Sequence, residues 1–184
     1  MVPVREDYRD YKPPAWVGKT VRNLLDSLSE RHVGGLSAIV LTESALIPKG
    51  RTRRVAGKRY AMKECFGFYY RRTSRTAAVV FLVVDNIIDA RPPRYWRIPF
   101  FRQFDVGTIL FHEIGHHLNH TGRSVGAGQE ASAIEWQRRL SRMHFQTKYW
   151  YLRPVAKPLR LIWGWLGQTG QRQRAASLSH RVAH

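Results

Sequence analysis

Residues 105–117 read DVGTILFHEIGHH, and this stretch sets both the fold class and the chemistry. Val106, Ile109, Leu110, Ile114 and Leu118 recur at three- and four-residue steps, which predicts a helix from Val106 to about Asn119. His112 and His116 stand four residues apart, one above the other on a single helix face, so both imidazoles can reach one cation. Glu113 is turned by about 100° from His112, beside that cation. Two histidine ligands and an adjacent glutamate form the HExxH arrangement. Zinc suits it, because it takes neutral imidazole nitrogen and carboxylate oxygen at about 2.0–2.2 Å. With three protein ligands, the fourth position holds a water whose pKa falls toward about 7. Glu113 then serves as general base toward this metal-activated water and later protonates the leaving amine. Gly115 keeps the helix surface small, which lets another backbone come close.

The third ligand lies downstream. A loop with three glycines, Thr121 to Gly128, lets a second helix turn back, predicted from Glu130 to about Tyr149. Glu130 opens that helix and is the preferred ligand. Its rival, Glu135, points to a different face. His120 shares the ligand face, but three successive turns spread over about 12 Å, too far to converge on one ion. His117 points away, and both read as polar packing groups.

Upstream, residues 1–16 read as an irregular lead-in and 17–31 as a helix stopped by Gly34-Gly35. Leu36 to Leu46 reads as a strand and Pro48 to Lys58 as a basic loop. Two β-rich runs follow, Arg59 to Arg71 and Thr76 to Ile88, separated by the turn RRTSR of hairpin length. Asp89 to Arg102, rich in proline and aromatics, reads as a loop. Helix, strands and two final helices make an α+β arrangement with a small antiparallel β-sheet. The expected division is an N-terminal segment 1–16, one domain 17–152, and a basic, tryptophan-containing tail 153–184.

HEIGHH, preceded by DVGTILF and followed by EASAIEWQRRL, resembles the small gluzincin-type HExxH zinc metallopeptidase domains, the minigluzincins and the ImmA/IrrE-type domains. The resemblance covers roughly residues 17–145. It implies a zincin-like fold, one zinc ion held by His112, His116 and Glu130, catalysis by Glu113, and a peptide or protein substrate, a regulatory protein being the expected kind. It also implies that a strand edge holds the substrate, here near Val79, Phe81 and Val83; the same AAVVFLVV run reads equally as a buried central strand. An oxyanion-stabilising group would come from His144, Tyr149 or Tyr151. One departure is that Gly126 to Gln129 lacks the acidic residues many ImmA/IrrE-type domains carry near the ligand glutamate.

Composition bounds these readings. The chain has 184 residues, 43% of them apolar, enough for one real core. The only cysteine, Cys65, leaves no disulfide partner and no cysteine-based zinc site. The N-terminal sequence has no apolar core of a secretory signal, and the longest apolar run, Ala77 to Val84, is too short to span a bilayer, so a cytoplasmic location is expected. Lys and Arg number 31 against 13 acids, a formal charge of +18, and ten basic residues follow Glu135 with no acid among them. Such a field attracts nucleic acid or an anionic membrane surface. The competing reading is therefore a non-catalytic, zinc-stabilised module that binds those polyanions. A plainer one is that the charge serves solubility alone.

Overall fold

The computed structural model describes residues 2–55, 58–74, 76–123 and 128–149, without the side chains of 53–59. Met1–His144 form one compact unit and Phe145–His184 another. The packing below is that of the first, and the tail 153–184 lies outside the described residues.

Four strands make one sheet in the order β1-β2-β6-β5: β1 is Val4–Asp7, β2 Leu36–Thr42, β5 Gly67–Tyr70 and β6 Ala78–Val83. β1 and β6 both run parallel to β2, and only β5 pairs antiparallel, with β6. The sheet is therefore mixed, not antiparallel as expected. The RRTSR turn does join an antiparallel pair, with Tyr70 opposite Val79. β6 lies between two neighbours, which overturns the expected edge at Val79, Phe81 and Val83. Its continuous apolar run suits a strand covered on both faces.

The lead-in is not irregular throughout, since it contributes β1. The buried Glu43 carboxylate holds the chain that leaves this strand, accepting hydrogen bonds from the backbone N–H groups of Arg9, Asp10 and Tyr11 at 3.2, 3.4 and 2.7 Å. The helix expected over 17–31 is two: α1, Trp16–Leu25, and α2, Glu30–Val33. The Ser27 hydroxyl donates to the Leu24 carbonyl at 2.6 Å, a local bond that competes with further helix. β3, Thr52–Val55, lies in what reads as a basic loop and pairs with β4, Lys58–Ala61, which opens the β-rich run from Arg59.

The strand expected to run on to Ile88 ends at Val83, and α3, Val84–Asp89, begins. Asp85 and Asn86 bond sideways rather than into the sheet. The Asp85 carboxylate accepts from the Ser44 N–H at 3.0 Å and from its hydroxyl at 2.6 Å, and Asn86 Nδ2 donates to the Lys63 and Cys65 carbonyls. The long helix α4, Pro99–His120, starts earlier than expected because Pro99 occupies its first turn, where a missing N–H costs nothing. α5 is Gln129–Lys148. α4 buries Val106, Leu110, Phe111, Ile114 and Leu118 against α1 and the sheet. At Gly107, an added Cβ would stand 3.1 Å from Leu24 Cδ2, so the glycine admits that leucine. Among the described residues, no helix is long and apolar enough to cross a membrane.

His32 on α2 is buried, meets the Ser29 hydroxyl at 3.0 Å, and sits edge-on to Trp136. Desolvation, then Arg31 and Arg123, lower its pKa below the usual histidine value. A histidine depressed in the folded state contributes stability above its unfolded pKa, about 6.5, and loses it as pH falls through the folded value. The urea midpoint is expected to drop between pH 7.5 and 5, and to drop less in His32→Gln. Equal drops in the two proteins would remove His32 from the account.

Candidate metal centre

The helical stretch around HEIGH and the first turn of α5 meet at three side chains. His112 and His116 stack along one face of α4, ring centroids 4.8 Å apart. Glu130, in the first turn of α5, reaches both: Oε1 lies 3.1 Å from His112 Nε2 and Oε2 3.6 Å from His116 Nε2. The three ligand atoms lie within 4.8 Å of one another. Two ligands on one tetrahedral zinc ion, each at the usual bond length, stand roughly 3.4 Å apart. The two nitrogen-to-oxygen separations bracket that value, so two nitrogens and one carboxylate fit a zinc-sized cation. Glu135 is elsewhere, 3.1 Å from Arg139 in an ion pair one turn along α5.

Gly115 makes this approach possible. A Cβ there would sit 2.6 Å from the Ala133 carbonyl oxygen and 2.9 Å from its Cα, closer than such contacts occur. α5 therefore lies directly on the α4 backbone, one turn from Glu130.

Glu113 is 4% exposed. Its neighbour on the sheet side is Gly67, the first residue of β5. A Cβ on Gly67 would stand 3.2 Å from Glu113 Cγ and 3.0 Å from both the Phe81 carbonyl oxygen and Ile109 Cγ2. Glycine here lets β5 pack closely on α4 while paired with β6. The sequence reading missed Gly67; the signal was a glycine inside the aromatic strand run CFGFYY.

The other histidines have structural partners. His117 is buried: Nε2–H donates to the Gly34 carbonyl at 2.9 Å, and Nδ1 meets the Tyr69 hydroxyl at 3.3 Å. Desolvation, chiefly, lowers its pKa. His120 stacks on Tyr69, with its pKa lowered by burial and then by Arg71. His144 meets Ser27 Oγ at 2.9 Å and Gln103 Oε1 at 3.1 Å. Gln103 precedes His112 by nine residues, about 13 Å along the helix, so His144 is no oxyanion group for this centre. Tyr149 belongs to the second unit, and Tyr151 lies outside the described residues. The chain matches no family model, no curated protein and no solved structure.

Proposed function

We propose that this protein is a zinc-dependent peptidase, with His112, His116 and Glu130 holding one zinc ion and Glu113 as general base. The convergence of three ligand atoms within 4.8 Å, with Glu113 one residue from the first ligand, carries the reading. Zinc, when bound, supplies a Lewis acid that acidifies water and polarises a carbonyl. Glu113 takes the proton of the attacking water on its carboxylate and passes it to the departing amide nitrogen. Burial shields that carboxylate from bulk water, so the proton it collects is kept for the leaving group. The substrate lies extended along the outer edge of β5, the last strand of the sheet, and is gripped by main-chain hydrogen bonds. Gly67 brings that edge against Glu113. An HEIGH helix, a following glutamate helix and a strand alongside support the likeness to gluzincin-type domains and a zincin-like fold. A single cysteine suits a reducing compartment, in keeping with a cytoplasmic enzyme.

Metal content tests the ligand set. The purified chain is expected to carry one zinc, and His116→Ala and Glu130→Ala to carry none under the same conditions. A wild-type chain that takes up no zinc on reconstitution would sink the proposal.

A further inference from the structure

α4 and β5 run away from Glu113 in the same direction. Gly67 stands beside Glu113; two residues on, Tyr69 touches His117 and stacks on His120, one and two turns further along α4. The chain leaving β5 then walls a cavity of about 520 Å³ with Arg71, Arg72 and Thr73, facing His117, His120 and Thr121. A second hollow of about 470 Å³ shares Arg72 and Thr73 and adds Ser37, Ser74 and Thr76. Among the described residues, no acid lines either one. Among the described residues, neither Arg71 nor Arg72 has a carboxylate in an ion pair.

The turn that presents the arginines is held by its own bonds. The Thr73 N–H donates to the Thr76 carbonyl at 2.9 Å, the Thr76 N–H donates to Thr73 Oγ1 at 3.1 Å, and the two hydroxyls are 2.7 Å apart. Two guanidinium groups beside a braced turn, with no acid among the described lining residues, are suited to a carboxylate.

We infer that this cavity is a specificity subsite that takes the carboxylate of an acidic side chain on a peptide lying along β5. The peptide half of the inference rests on the peptidase reading; the charge half rests on the lining. Arg71 follows Gly67 by four residue steps, about 13 Å at strand rise. The acidic residue therefore falls three or four positions from the bond beside Glu113.

The test uses the zinc-loaded full-length chain and a pool of unstructured peptides that includes Asp, Glu and phosphoserine, with cuts read by mass spectrometry. Asp and Glu are expected to be enriched about tenfold three or four residues to one side of the cut bond. The enrichment should vanish in Arg71→Ala/Arg72→Ala and give way to Lys and Arg in Arg71→Glu/Arg72→Glu. It should persist in Lys12→Ala/Lys19→Ala, which removes the same charge elsewhere. Circular dichroism and zinc content must match the wild type in each variant, with the single Arg72→Gln in reserve. Cutting without acidic preference, or a preference that falls equally in the lysine double variant, overturns the subsite and leaves the peptidase standing. Preference for phosphoserine over Glu overturns the carboxylate assignment. No cutting by any form overturns both.

Discussion

Glu113→Gln is expected to lower peptide hydrolysis by about 10²–10⁴-fold while the protein keeps its zinc. The substitution preserves shape, which matters because Glu113 is 4% exposed and closely bordered by Gly67 and β5. What it removes is the charge and the capacity to accept a proton. Zinc is held by His112, His116 and Glu130, so its affinity should change little. The measurement is the cleavage rate of a peptide pool, with zinc determined on the same samples. Unchanged cleavage would mean that another group, or another protein in the preparation, does the chemistry. The same variant separates the proposed enzyme from a non-catalytic, zinc-stabilised module that binds nucleic acid or anionic membrane. In such a module Glu113→Gln changes nothing measurable, and binding would follow the arginines in 138–174 with a steep salt dependence.

The two helices of the centre were legible because their signals are local. Apolar spacing defines α4, and two histidines at a four-residue interval need no information from the rest of the chain. Glu130 was legible in part: its place in a first helical turn could be read, but the approach of that turn to His112 depends on how α5 lies on Gly115. The sheet was harder, because its partners are remote. β1 has no apolar alternation in Val4–Asp7; it is a strand because β2 offers it a parallel edge and Glu43 fastens the chain beyond it. The end of β6 is likewise set from outside. Val84–Asp89 continues the apolar run and looks like strand, yet Asp85 bonds to Ser44 and turns the backbone into helix. The role of β6 could not be read from the same run, which suits an edge or a covered centre until its neighbours are known. Pairing with β2 and β5 makes it the covered central strand, and the exposed edge passes to β5, whose glycine is the clue.

Gly115→Ala is expected to destabilise the protein and weaken its hold on zinc, whereas Gly107→Ala, on the same helix, should change stability less and leave zinc binding as it is. Glycine to alanine inside a helix ordinarily stabilises by about 0.5–1 kcal/mol, because the unfolded chain loses freedom. At Gly107 the atom nearest an added Cβ is the end of the buried Leu24 side chain, 3.1 Å away, which has to give by only a few tenths of an ångström, so any cost there is smaller than at Gly115. At Gly115 the obstacle is backbone: the Ala133 carbonyl oxygen at 2.6 Å and its Cα at 2.9 Å. Neither can rotate aside, so α5 must move as a body, at an overpacking cost of about 1–3 kcal/mol. Glu130 lies three residues before Ala133 on α5 and is carried away from His112 and His116. The loss of alignment should reduce zinc affinity by about tenfold or more. Urea midpoints and zinc competition with a chelator, measured on both variants, check the pair. If Gly115→Ala keeps wild-type zinc affinity, then α4–α5 contact does not place Glu130, and the ligand must reach the centre by its own side-chain freedom.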